Sequence, residues 1–248
     1  MRLIDHFIIV RERPVKVVPG LVIAALLSAL LAQIIWHDIR PDVAANASKL
    51  PSPPAALVIQ AISLGEPVAL AKFLMLWLQA FDHQPGISVP YKDLDYDQVI
   101  AWLDTILALD PKSQYPLLSA SRVYAEVPDK VRQRKMLEFV YARFLQDPNT
   151  RWPWLAHAVY VAKHRMGDPD LALKYARALR LHATAAAVPA WARQMELFIL
   201  EDLGDIESAK ILLGGLLDSG VIRDANELRF FEERLEKDGE ENGVRSKE

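Results

Sequence analysis

Matching residues recur at one fixed spacing along the middle of this chain, and that spacing restricts its fold more than any other feature. Asp110 recurs as Asp147, each followed by proline, and Gly167 recurs as Gly204, each followed by aspartate; both pairs are 37 residues apart. A single helical hairpin cannot bury its apolar faces alone, so hairpins repeated at a fixed period stack on one another. The spacing therefore predicts an array of similar helical hairpins.

The chain after residue 54 has a helical pattern with almost no strands. Apolar residues recur at the period of an α-helix, and Pro, Gly and Asp interrupt them at regular intervals. These breaks predict helices near 54–64, 67–82, 96–109, 115–126, 130–146, 152–165, 169–182, 189–203, 205–218 and 224–236. The nine helices from 67–82 onward form four hairpins and a capping helix, so the predicted fold class is all-α.

Several positions in these hairpins resemble the tetratricopeptide-repeat (TPR) superfamily. Leu117, Ser121 and Tyr124 match the family's series of a large, a small and an aromatic residue in a first helix, and Ala172 follows Gly167 as in a second helix. The repeat-defining residues are Asp110, Pro111, Ser121, Tyr124, Asp147, Pro148, Trp154, Ala158, Gly167, Ala172, Trp191, Gly204 and Ala209. The resemblance implies a TPR-like α-solenoid, of the bacterial single-pass membrane-anchored type with degenerate repeats. It implies protein binding and carries no catalytic activity.

The segment Val17–Trp36 predicts a single transmembrane helix. It contains no charged residue, and a helix of that length spans the roughly 30 Å hydrocarbon core of a bilayer. A buried core helix is an alternative, and a signal peptide cleaved near Ala47 fits less well because the apolar run is too long. More basic residues precede the segment than follow it closely, which predicts a cytoplasmic N-terminus and a periplasmic repeat domain at a bacterial inner membrane.

Five segments follow from these predictions. Residues 1–16 form the cytoplasmic N-terminus, 17–36 the transmembrane helix and 37–54 a Pro/Ala-rich tether. Residues 55–236 form the TPR-like helical repeat domain, and the charged residues 237–248 form a disordered tail.

Four acidic residues are the strongest candidates for a metal site. Asp93, Asp95 and Asp97 alternate, and Asp104 stands near the last position of a calcium-loop count. The glycine that such a loop needs is missing, and a helix cap at Asp95 explains the acids better. We therefore expect no metal here.

The other features of the sequence do not favour catalysis, a metal site or nucleic-acid binding either. The sequence has no cysteine and no phosphate-binding glycine loop, and its net charge of −3 does not favour nucleic acid. His157, His164 and His182 lack the converging ligands that zinc requires, so we interpret them as structural or surface residues. No enzyme activity, cofactor or small-molecule substrate is expected.

The first helix of each hairpin is expected to line the inner, concave side of the solenoid. Its inward-facing positions predict a groove that binds a peptide of a partner protein. The candidate groove residues are Leu118, Arg122, Leu155, Val159, Ala162 and Ala192. The irregular segment 82–94 is a second candidate for the contact surface.

These observations favour a membrane-anchored scaffold or assembly factor for a bacterial envelope complex that serves secretion, pilus formation or polysaccharide export. Its expected partners are proteins of a membrane complex, together with the lipid bilayer through residues 17–36. Two alternatives stay open. One is an accessory subunit whose transmembrane helix binds a membrane enzyme, and the other is an envelope hydrolase that uses Asp82, His83 and Asp97.

Overall fold

The computed structural model divides into two units, Met1–Ala45 and Asn46–Glu248. The residues that it describes are 18–39, 48–84, 86–222 and 224–245. In the first unit the described residues form one helix, α1 (Gly20–Ile39), which is rich in Leu, Ile and Ala.

Within the described ranges, no single helix is both long enough and apolar enough to cross a bilayer. One bent pair, Ala56–Ile62 with Pro67–Ala80, has the required length and composition when its two helices are taken together, with 107° between them. The transmembrane helix at 17–36 therefore stays a prediction.

Helices dominate the second unit, which confirms the predicted all-α class. They are α2 (Ala56–Ile62), α3 (Pro67–Ala80), α4 (Tyr96–Leu109), α5 (Tyr115–Arg122), α6 (Lys130–Phe144), α7 (Pro148–Tyr160), α8 (Pro169–His182), α9 (Ala190–Asp202), α10 (Ile206–Asp218) and α11 (Ala225–Arg245). One short antiparallel hairpin, β1 (His83–Gln84) with β2 (Ile87–Ser88), lies in the irregular segment between α3 and α4. A π-helical turn, Val161–Met166, extends α7.

Each helix packs chiefly on its neighbours in the chain. The pairs α3 with α4, α5 with α6, α7 with α8 and α9 with α10 all pack together, and α11 packs on α10. Contacts also join alternate helices, α5 with α7, α7 with α9 and α4 with α6. The arrangement is solenoid-like, because the main contacts join each helix to the next helix or to the one after it.

The turn before each of the last two second helices has the same backbone conformation. Gly167 and Gly204 adopt left-handed φ angles of +62° and +73°, which a residue with a Cβ rarely adopts. The aspartate that follows each glycine caps a helix: Asp168 accepts a hydrogen bond from the Leu171 amide, and Asp205 accepts one from the Ser208 amide. Residues 37 positions apart therefore build equivalent turns.

Two clusters of buried apolar side chains lie inside the unit. The larger one extends from α3 to α9 and includes Leu103, Leu117 and Leu155, all without exposed surface. The smaller one joins α9, α10 and α11 through residues such as Leu213 and Phe231. The C-terminal helices therefore have a core of their own.

Two predicted boundaries differ from the structure. Residues 48–54 were expected in a free tether, but Leu50 is buried in the main core and the Pro51 carbonyl accepts a 2.7 Å hydrogen bond from Trp102 Nε1. The predicted disordered tail begins at 237, yet α11 continues to Arg245. Its Glu and Lys residues have high helix propensity, which the charge pattern alone did not take into account. Residues 40–47 and 246–248 lie outside the described ranges.

Candidate interaction surfaces

Four of the six predicted groove residues lie in the core, so the predicted groove is wrong at those positions. Leu155, Val159, Ala162 and Ala192 have at most 1% of their surface exposed. The helix α7 packs on α5, α6, α8 and α9, and these neighbours together cover the face of α7 that the sequence analysis assigned to the groove. A side chain that is covered by neighbouring helices cannot contact a partner.

The two remaining groove residues are accessible. Leu118 is half-buried and Arg122 is exposed at the end of α5. Near Arg122, His157 Nε2 lies 3.6 Å from the Glu126 carboxylate, and Arg165 forms an ion pair with the same carboxylate. Burial lowers the pKa of His157, the positive charge of Arg122 lowers it further, and Glu126 partly opposes them. A mixed charged surface therefore replaces the apolar groove.

The repeat-defining residues fall into two groups. Small residues fill the helix crossings: Ser121, Ala158, Ala172 and Ala209 have no exposed surface. The aromatic residues join elements: Tyr124 is buried against Tyr96, and Trp191 packs edge-to-face on Trp152 with 5.3 Å between ring centroids. Trp154 Nε1 donates a 2.6 Å hydrogen bond to Gln114.

The aspartate–proline pairs are less alike than their sequences. Asp147 precedes α7 and Pro148 is its first residue, whereas Asp110 follows α4 and Pro111 begins a turn before α5. The predicted start of α7 at 152 is therefore too late by one turn.

The acidic candidates for a calcium site are engaged separately. Asp95 caps α4 by accepting hydrogen bonds from the amides of Asp97 and Gln98. Asp97 forms an ion pair with Lys135 at 2.7 Å, and Asp104 forms one with Arg143. Across the described ranges no three His, Cys, Asp or Glu side chains converge in a way that suits a metal ion.

The residues of the hydrolase alternative are only partly adjacent. His83 Nδ1 lies 2.9 Å from the Asp82 carboxylate, and Asp82 is buried while the His83 side chain is 77% exposed. Burial raises the pKa of Tyr91, and the negative charge of Asp82 raises it further. Asp97 instead belongs to the ion pair with Lys135. Of the other histidines, His164 packs on Tyr160 and His182 is exposed.

An apolar surface, which the sequence analysis did not identify, is exposed on α2 and α3 and the turn between them. It consists of the exposed side chains Leu57, Val58, Ile62, Leu64, Val68, Phe73 and Leu76. Leu64 is 90% exposed and Leu57 80%. Between residues 55 and 81 the only charged side chains are Glu66 and Lys72. Contiguous apolar surface of this kind marks a site of protein or membrane interaction. We call it the α2–α3 face.

The sequence contained a signal for this face. In α3, Phe73 and Leu76 lie on the side opposite the buried Ala71, Met75 and Leu78, so the helix is apolar all round. A helix of that kind is covered on every side in its functional state.

Comparisons with protein-family profiles, with curated proteins and with solved structures find no match for this chain.

Proposed function

We propose that this chain is a membrane-anchored, TPR-like protein–protein interaction scaffold or assembly factor for a bacterial envelope complex that serves secretion, pilus formation or polysaccharide export. The α2–α3 face is the observation that carries the proposal. Solenoid-like arrays require a polar outer side on their terminal elements to stay soluble. The first two helices of the second unit, α2 and α3, have an apolar outer side instead. A partner protein at that end removes the exposed leucines from water.

The proposal of a repeat array is supported by side-chain contacts that join residues about one repeat apart. Tyr115 donates a hydrogen bond to Gln79, 36 positions earlier, and Trp154 donates one to Gln114, 40 positions earlier. Lys163 forms an ion pair with Asp202, 39 positions later. Such contacts are those expected between successive hairpins of a TPR-like solenoid.

The anchor part of the proposal is supported by α1. Its Leu21, Leu26 and Trp36 are more than half exposed, and the basic residues before position 17 favour a cytoplasmic N-terminus. In this proposal residues 17–36 cross the inner membrane and the repeat domain faces the periplasm. Resistance of the protein to carbonate extraction, together with protease access to a C-terminal tag only after the outer membrane is opened, is the expected result.

Site-specific photo-crosslinking in intact cells tests the scaffold function. A photo-reactive residue at Phe73 or Leu76 should give protein adducts of higher mass, which mass spectrometry then identifies. The matched control is the same residue at Val131, which is 69% exposed on α6, away from the α2–α3 face. Phe73→Ser should abolish the adducts formed through Leu76, whereas Val131→Ser should not.

Two results would contradict the proposal. Adducts to lipid alone would mean that the α2–α3 face contacts the bilayer and not a protein. Equal adducts from Val131 and Leu76 would mean that capture is unspecific. Replacing residues 17–36 by an unrelated spanning helix distinguishes the scaffold from an accessory subunit whose transmembrane helix binds a membrane enzyme. The scaffold should keep its adducts after the replacement, whereas the accessory subunit should lose its function.

A further inference from the structure

A cleft of about 660 Å³ lies among α8, α9 and α10. Side chains of α8 form one wall, α9 supplies the floor, and one face of α10 forms the opposite wall. The residues that define it are Arg177, Arg180, Arg193, Glu196, Ile211 and Gly215. A cleft of this volume is within the range of specific ligand sites in proteins.

A buried carboxylate fixes two arginines at the cleft. Glu196 is 2% exposed, and its two oxygens accept hydrogen bonds from Arg177 Nε at 2.8 Å and from Arg180 Nε at 2.7 Å. Both arginines use Nε, so their terminal nitrogens remain for another acceptor, and within the described chain these nitrogens make no hydrogen bond. A guanidinium held in this way loses little freedom when it binds an anion.

The third arginine is incompletely satisfied. Arg193 lies one helical turn before Glu196, and its Nε is buried without a hydrogen-bond partner among the described residues. Burial of this Nε without a partner costs free energy, and Arg193 adds a third guanidinium to the lining of the cleft. Three arginines and a single carboxylate therefore line the cleft, and its lining carries excess positive charge.

The opposite wall runs along α10 and is apolar except for Ser208 and Ser219 near its two ends. Leu212 and Leu216 line it, and Ile211 is 76% exposed beside them. The lining positions of α10 extend from Ser208 to Ser219, roughly 17 Å along the helix axis. An occupant that matches both walls carries carboxylates and aliphatic groups side by side over that length.

We propose that this cleft binds an acidic segment of a protein partner, in which carboxylate side chains meet the three arginines and leucine-like side chains meet the apolar wall of α10. The proposal deepens the proposed scaffold function and rests on it for the existence of a partner, but it concerns a surface separate from the α2–α3 face. A peptide fits better than a fatty acid because the cleft is an open channel with hydroxyl groups along it, from Thr184, Ser208 and Ser219, and not an enclosed apolar tunnel.

Fluorescence anisotropy with the full-length protein in non-ionic detergent tests this site. The probe is a labelled peptide, blocked at both ends, that carries glutamate and leucine on one face, and its matched peptide has glutamine at each glutamate. The glutamate peptide should bind and the glutamine peptide should not. Arg177→Gln and Arg193→Gln should each weaken binding about tenfold, the effect of losing one charged hydrogen-bond donor. Lys210→Gln removes a charge from α10 outside the cleft and should leave binding unchanged.

Several outcomes would overturn the site. They are equal binding of the two peptides, no binding of either peptide, and unchanged binding by Arg193→Gln. Displacement of the peptide by octanoate at equal concentration would also overturn it, because that result would assign the cleft to fatty acids. Arg193→Lys retains the charge and should retain most of the binding. If Arg193→Lys binds the peptide and Arg193→Gln does not, the loss in Arg193→Gln comes from the missing charge and not from misfolding. Phe73→Ser should leave peptide binding intact. If the otherwise unmodified protein binds the glutamate peptide but gives no protein crosslinks from Phe73 or Leu76, the scaffold alone is refuted.

Discussion

Two adjacent glycines in the middle of α10 provide the sharpest test of the cleft. Gly214 and Gly215 are helical and exposed, and a Cβ added to either meets no atom within 4 Å. Glycine inside a helix costs about 1 kcal/mol relative to alanine, through greater freedom of the unfolded chain. With no steric term to oppose it, Gly214→Ala and Gly215→Ala should each stabilise α10 by about 0.5–1 kcal/mol.

Hydrogen exchange measures this gain where it arises. The helices α9, α10 and α11 share a core cluster separate from the main one, so the amides of α10 report local opening. A gain of about 1 kcal/mol should slow exchange of these amides about fivefold, with amides of α4 unchanged. The double variant should approach about 2 kcal/mol if the two effects add.

Peptide binding separates the two positions. Gly215 lines the cleft and Gly214 does not, so only the methyl group at position 215 takes space from an occupant. Gly215→Ala should bind the glutamate peptide about fivefold more weakly or worse, because crowding a packed contact costs at least about 1 kcal/mol. Gly214→Ala should bind like the unmodified protein. The reasoning fails if both variants bind alike, or if Gly215→Ala speeds exchange in α10.

Four further predictions follow from single residues. Leu155→Ala should lower the free energy of unfolding by about 2–5 kcal/mol in urea, because Leu155 is a core residue and not a groove residue; a change below about 1 kcal/mol would restore the groove. Gly167→Ala should cost about 1–2 kcal/mol through its φ of +62° alone, and Gly167→Asn less, in the same assay. Burial raises the pKa of Tyr96 from 10.0 to about 12, so the unfolded chain loses the proton first and stability falls as pH rises from 10.0 toward 12; urea midpoints that do not fall there would contradict this. The pKa of His157 should lie below 6.5 by NMR titration and should rise in Arg122→Gln, which removes the positive charge that helps lower it.

The sequence allowed the order of the helices to be predicted, because turns and caps are local. Gly167 with Asp168, and Gly204 with Asp205, are encoded by a few adjacent residues whose conformational preferences decide where a helix ends and the next begins. The same local reasoning placed α4 at Tyr96–Leu109, with Asp95 as its cap, as the structure has it.

The exposed surfaces could not be predicted from the helical period, because the period does not show which apolar face of a helix is covered by a neighbour. Apolar spacing shows that Val159 and Ala192 lie on an apolar face, but a helix inside an array has several such faces and each packs on a different neighbour. Arg177 and Arg180 of α8 both contact Glu196 of α9, and Arg193 lines the same cleft, so only the packing of the two helices brings the three arginines together. No spacing in the sequence indicates that contact.

The two ends of the helical array differ in what they expose, and this difference links the fold to the proposed function. At the C-terminal end, α11 buries Phe231 against α9 and α10 and presents Glu232 and Glu233 to solvent, so its described outer side is mostly polar, with Phe230 half exposed. At the N-terminal end, Phe73 and Leu76 remain exposed on a helix that has already buried its opposite side. Because an apolar outer side at the end of an array is unfavourable in water, the proposed scaffold function predicts that a partner joins at α3 and not at α11.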